Sequence, residues 1–80
     1  NYPNPFNPVT NIEFSIPGSS IVKLAVYDMT GRELEVLVSR DLSAGRYKAE
    51  WNAANYSSGV YFYKLSAGSF DQTKKMILVK

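Results

Sequence analysis

Residues 56–61 of this chain are Tyr-Ser-Ser-Gly-Val-Tyr, and residues 42–47, Leu-Ser-Ala-Gly-Arg-Tyr, repeat the same spacing. In each stretch a glycine lies two residues before a tyrosine, where an alternating apolar pattern begins. This spacing is typical of a tyrosine corner, in which the hydroxyl of a buried tyrosine donates a hydrogen bond to nearby backbone and glycine permits a sharp bend. Gly45 with Tyr47 and Gly59 with Tyr61 therefore predict two strand starts, and they indicate nothing about chemistry.

Outward from these two sites, apolar and polar residues alternate along most of the chain, which is the pattern of half-buried strands. The segment 32–40 also fits a helix, because Thr30 and Glu33 have capping-box spacing, but its neighbours favour a strand. We therefore expect an all-β fold, an immunoglobulin-like β-sandwich of about seven short antiparallel strands. The alternating segments cover residues 10–16, 22–27, 32–40, 46–51, 60–66 and 70–80.

The composition excludes most kinds of catalytic site. The 80 residues include no histidine and no cysteine, so a Ser-His-Asp triad, a thiol nucleophile, a zinc finger or an iron–sulfur cluster cannot form. A net charge of +2 is too small to favour nucleic acid as a partner. The apolar runs are too short for a membrane span. We expect one small domain that is no enzyme, holds no cofactor or metal and binds no small-molecule substrate.

Acidic side chains could still form a site, but a structural interpretation is simpler. Glu33 and Glu35 are two positions apart, so we expect them on one face of a strand, where solvated carboxylates are commoner than a glycosidase pair. Three aspartates lack the spacing of a calcium loop, and we expect them to stabilise turns instead. They are Asp28, Asp41 and Asp71.

Aromatic residues make up 14% of the chain and admit two interpretations. In a domain of this size such rings are needed to fill the core, since each buries about 150–250 Å². Exposure of Trp51, Tyr61 and Tyr63 in a row would instead indicate a carbohydrate-binding module. We expect them in the core.

The last residues form an apolar run flanked by lysines. Strand alternation places Lys74, Met76, Leu78 and Lys80 on one side, with Lys75, Ile77 and Val79 on the other. Apolar residues on both sides fit a well-buried strand, or an edge strand that lysines protect. They also fit a docking strand that extends a partner's sheet.

The first nine residues differ from the remainder, with three prolines and no charge among residues 1–8. Proline fixes φ and favours extended geometry in the residue before it, which predicts a stiff extended run. We interpret residues 1–9 as a junction with a preceding domain and residues 10–80 as the folded domain. The absence of an initiator methionine suggests a fragment of a longer protein.

Four stretches together resemble the type A C-terminal sorting domain of the type IX (Por) secretion system, to which the immunoglobulin-like domain of flagellar hook-capping proteins is related. The opening YPNPFNP and the closing KKMILVK are the most specific, and the hook-capping relatives share the other two. The stretches are residues 2–8 followed by 10–14, then 26–33, 58–65 and 73–80.

The resemblance implies a non-catalytic secretion signal that sends an upstream cargo protein through the periplasm and the outer membrane of a Gram-negative bacterium. An outer-membrane type IX translocon would recognise the domain, and a surface sortase could remove it, so that the cargo is released or attached at the cell surface. The recognition residues would be Lys74, Lys75, Met76, Ile77, Leu78, Val79 and Lys80. Asp28 and Gly31 would fix a hairpin turn, Gly59 and Tyr61 a corner of the sandwich, and Pro3, Asn4 and Pro5 would belong to the junction. A structural role in an assembly like hook capping is the alternative.

Overall fold

A computed structural model describes residues 8–79, and every regular element in that range is a β-strand. All strand pairs are antiparallel, and they form a two-stranded sheet, β1–β4, and a four-stranded sheet in the order β3–β2–β5–β6. No helix within this range is long and apolar enough to cross a membrane. The strands are β1 (Val9–Ile16), β2 (Ser20–Tyr27), β3 (Glu33–Leu42), β4 (Gly45–Asn52), β5 (Gly59–Ala67) and β6 (Phe70–Leu78).

The all-β prediction is confirmed, and so is the preference for a strand over a helix in the segment that became β3. In the nomenclature of the immunoglobulin fold, β1 and β4 occupy the positions of strands B and E. The order β3–β2–β5–β6 corresponds to C′, C, F and G. Six strands lie in the described range, where about seven were predicted for the chain, and only Ser43 and Ala44 connect β3 to β4.

The core lies between the two sheets. On β1, the predicted inward residues Ile12, Phe14 and Ile16 are buried, and the exposed residues between them face solvent. Trp51 of β4 is fully buried and packs edge-on against Tyr61 of β5, with 5.4 Å between ring centroids. One cluster joins both sheets, which identifies the fold as a small β-sandwich. Its other members are Val22, Leu24, Val26, Ala53, Tyr63, Leu65, Ala67, Met76 and Leu78.

The two glutamates of β3 do not share a face, so that prediction is wrong. Val26 pairs with Glu35 and Tyr27 pairs with Glu33, which leaves one extra residue between the glutamates as a β-bulge. A bulge interrupts the period of two and turns the side chains on either side of it to opposite faces. Glu33 accepts a hydrogen bond from Lys23 Nζ at 2.7 Å on the solvent face. Glu35 reaches the core side.

On the core side, Glu35 Oε1 lies 3.3 Å from Trp51 Nε1 and 3.4 Å from the Tyr56 hydroxyl, and both groups donate to it. Burial, followed by the nearby Glu35 charge, raises the pKa of Tyr56 above its ordinary value. These contacts connect the exposed edge strand β3 to the ring cluster. The carboxylate therefore has a structural use, and the two glutamates do not form a paired site.

Candidate recognition edge

The terminal strand β6 forms one edge of the four-stranded sheet. Every residue of Phe70–Leu78 pairs with β5, from Phe70 opposite Ala67 to Leu78 opposite Gly59. No described strand lies on its other side. Among the strands of residues 8–79, β6 therefore has a single neighbour and lies at the edge.

The hairpin between β5 and β6 decides which backbone groups face outward. Its loop is the pair Gly68 and Ser69, and Gly68 has φ 60°, as expected for the first residue of a two-residue hairpin turn. Such a loop closes on a pair that exchanges both backbone hydrogen bonds, here Ala67 and Phe70, and the pattern then alternates along the strand. The N–H and C=O groups that point away from β5 accordingly belong to Asp71, Thr73, Lys75 and Ile77. They form a row of donors and acceptors suited to an added strand.

The side chains of β6 differ on its two faces. Met76 and Leu78 are buried, at 0% and 1% exposure, whereas Ile77 and Val79 are 39% and 48% exposed. Met76 lies opposite Tyr61 of β5. The alternation read from the sequence is therefore present, with the inner residues holding the strand on the core and the outer ones facing solvent.

A tyrosine-corner geometry supports the start of β5, the only described neighbour of β6. The Tyr61 hydroxyl donates to the Ser57 carbonyl at 2.6 Å, and Gly59 between them has φ 156°. At the start of β4 the Tyr47 hydroxyl donates to the Ser43 carbonyl at 2.7 Å, and Gly45 has φ 150°. Both bonds run four residues back along the chain, as the repeated spacing predicts.

The predicted turn residues Asp28 and Gly31 lie between β2 and β3. Gly31 N–H donates to the Asp28 carbonyl at 3.0 Å, and Gly31 has φ 89°, which favours glycine. Asp28 Oδ1 accepts from the Thr30 hydroxyl at 2.6 Å and from Arg32 N–H at 3.0 Å. These hydrogen bonds lower the pKa of Asp28, that from the Thr30 side chain most strongly. The carboxylate is thus occupied by its own turn.

Four of the predicted residues belong to parts of the chain outside the described range. Pro3, Asn4 and Pro5 of the junction and Lys80 of the terminal segment lie outside residues 8–79. Val79 directly follows β6. Of the predicted junction 1–9, Pro8 and Val9 lie in the described range. Val9 opens β1, and the Pro8 carbonyl accepts a 2.9 Å hydrogen bond from Ala53 N–H.

The solvent face beside β6 carries a groove that the sequence reasoning did not identify. We call it the outer-face groove; it has a volume of about 270 Å³. Phe62 lies on this face because its neighbours Tyr61 and Tyr63 point inward. The alternation along β5 predicts that Phe62 faces solvent. The groove also needs the turn between β2 and β3, which is distant from Phe62 in sequence. The lining residues are Tyr27, Asp28, Met29, Gly31, Phe62, Lys64 and Thr73.

The structure shows neither of the alternative sites in residues 8–79. Trp51, Tyr61 and Tyr63 are at most 8% exposed, so they form no sugar-stacking platform. No group of three or more acidic side chains in the described range could hold a metal ion.

Comparison with known families gives one match. The family model for the secretion system C-terminal sorting domain matches residues 1–80, which is the whole of the chain. No curated protein and no solved structure matches it.

Proposed function

The chain belongs to the family of secretion system C-terminal sorting domains, and on that premise we propose that it carries an upstream cargo protein across the outer membrane through the type IX translocon. Domains of this family are C-terminal sorting signals of type IX secretion, and they imply a secreted or cell-surface protein with a cargo ahead of the signal. The cargo's passage through the periplasm and its release or attachment by a surface sortase are parts of the proposal.

The observation that supports recognition is the outer edge of β6, which no strand of residues 8–79 covers. Residues 74–80 would be read largely through the outward backbone groups of the strand, by addition of a receptor strand to the sheet. Backbone hydrogen bonds tolerate different side chains, which suits a signal attached to unrelated cargos. The exposed Lys74 and Lys75 would then set orientation and the rate of encounter.

The remaining body would hold this edge in place. Tyr61 and Gly59 would fix the start of β5. Asp28 and Gly31 would fix the turn between β2 and β3, the strand at the other edge of the same sheet. Residues 1–9 would be the junction with the cargo, and residues 10–80 the sorting domain. We propose no catalytic role, because the family is one of sorting signals.

The experiment places residues 1–80 behind a fluorescent protein that carries a periplasmic export signal, in a type IX host. We expect the reporter at the cell surface or in the medium, with the same reporter lacking the domain retained in the periplasm. Periplasmic retention of the intact fusion would contradict the proposal. Deletion of residues 76–80 is a poor control, because it also removes Met76 and Leu78 from the core.

A further inference from the structure

The outer-face groove lies against the free edge described above. Phe62 forms its floor between two paired neighbours, Tyr27 on β2 and Lys75 on β6. Thr73 of β6 lies opposite Lys64 and completes the side nearest the edge. The groove therefore begins at the strand to which a receptor would add.

The polarity of this face changes along the sheet. An exposed sheet face is ordinarily polar. The half near the β5–β6 loop carries Lys23, Ser66 and Asp71, with Ile21, 73% exposed, as an apolar exception. The half with the groove is more apolar, because Met29 is 72% exposed there and Phe62 is only partly buried among the residues that line the groove.

The groove is lined by one carboxylate, Asp28, and one lysine, Lys64, and Lys75 lies beside it. The Asp28 carboxylate is paired with Arg32 of its own turn, which leaves the two lysines as the charges that face a ligand. Lys64 and Lys75 lie on either side of Phe62 on the same face, and both are exposed. The ion pairs within residues 8–79 join Lys23 to Glu33 and Arg32 to Asp28, so neither groove lysine takes part in them.

We propose that the groove binds a bulky apolar side chain flanked by carboxylates, on an extended receptor segment that pairs with β6. The proposal rests on the proposed function for the identity of the partner, and it adds the chemistry of the docking segment. A strand added to β6 would lie about 4.8 Å beyond it, and alternate side chains would point to the outer face. Because Thr73 is small, an aromatic or long aliphatic side chain could reach over it to Phe62. Carboxylates on the same segment would meet Lys64 and Lys75.

One consequence distinguishes this proposal from recognition of the tail alone. Lys64 and Phe62 are on β5, outside the terminal residues 74–80, yet they would contribute to receptor selection. The signal would thus depend on the folded sheet, because only the fold brings Phe62 beside β6.

The test uses the isotope-labelled 80-residue chain and two capped peptides in an NMR titration. One peptide alternates Glu with Val and has Phe at its centre; the second has Lys in place of every Glu. We expect saturable shifts at Phe62, Lys64 and Thr73 with the Glu peptide, and at least tenfold weaker binding of the Lys peptide. Lys64→Glu should weaken binding of the Glu peptide, whereas the matched Lys48→Glu, on an exposed position of β4, should not.

Absence of saturable shifts, equal binding of both peptides, or shifts centred on β3 would overturn the docking chemistry. So would equal effects of Lys64→Glu and Lys48→Glu. None of these outcomes depends on export in a host. A fusion that is exported while the titration fails contradicts only the groove, whereas a successful titration with a retained fusion contradicts the sorting function.

Discussion

Removing the hydroxyl of Tyr61 should destabilise the domain more than removing that of Tyr47, although the two hydrogen bonds have the same span. The Tyr61 bond to Ser57 is partly buried, so in Tyr61→Phe the Ser57 carbonyl loses its partner where water replaces it poorly. The Tyr47 bond to Ser43 is exposed, and water can satisfy that carbonyl in Tyr47→Phe. The same chemical change therefore has two different expected costs.

A hydrogen bond contributes about 0.5–1.5 kcal/mol net, and the larger values apply where the remaining partner is poorly solvated. We therefore expect a loss of about 1.5 kcal/mol for Tyr61→Phe and about 0.5 kcal/mol for Tyr47→Phe. For a domain of this size, 1 kcal/mol shifts Tm by about 4–8 °C. Tyr61→Phe should thus lower Tm by about 6–12 °C and Tyr47→Phe by about 2–4 °C.

The assay is thermal and urea unfolding, followed by circular dichroism, on the 80-residue chain. Tyr27→Phe is the matched control, since the Tyr27 hydroxyl makes only an exposed 3.3 Å contact with Glu33, and its Tm should change little. An unchanged Tm for Tyr61→Phe, or a greater loss for Tyr47→Phe, would refute the assignment of Tyr61 as the stronger corner.

Three further predictions concern stability, each with urea unfolding as the measurement. Gly59→Val should cost more than about 1 kcal/mol because of its positive φ, whereas Gly18→Val, which meets no atom within 4 Å and has no such φ, should cost less. Met76→Ala should cost about 2–5 kcal/mol and Ile77→Ala, next to it on the exposed face, less than about 1 kcal/mol. Folding lowers the pKa of Asp28, so its ionised carboxylate stabilises the fold at pH values above 3.8, its ordinary pKa. This contribution is lost as the pH falls through the lower pKa of the folded state. Asp28→Asn should therefore reduce the loss of stability between pH 5 and about pH 2.

Each of these predictions has a clear contrary result. Equal unfolding free energies for the two glycine variants would mean that the backbone angle at Gly59 carries no strain. Equal costs at Met76 and Ile77 would contradict the assignment of faces on β6. If the free energy of unfolding falls equally with pH in Asp28→Asn and in the original chain, Asp28 does not contribute to acid unfolding.

The local elements of the fold were predictable because their signals lie close together in sequence. Alternation located the strands and the inner faces, for example Ile12 and Phe14 on β1. The spacing of glycine and tyrosine predicted the bonds from Tyr47 and Tyr61, since each acceptor is four residues away. These features need no knowledge of strand order.

Features that depend on register or strand order were not predictable in the same way. The bulge between Glu33 and Glu35 breaks the period of two, so alternation placed both carboxylates on one face. Apolar residues on both faces of β6 fitted a central strand as well as an edge strand, and only the order of the described strands places β6 at the edge. The outer-face groove required Met29 of a distant turn to lie near Phe62.

The most direct measurement is surface export of the fluorescent fusion with Ile77→Pro compared with Ile77→Ala. The N–H of Ile77 points away from β5, so proline removes a donor from the free edge without breaking the ladder, whereas alanine keeps the donor. We expect both domains to remain folded by circular dichroism, Ile77→Ala to be exported and Ile77→Pro to be retained in the periplasm. Export of a folded Ile77→Pro fusion at the original level would contradict recognition through the β6 backbone.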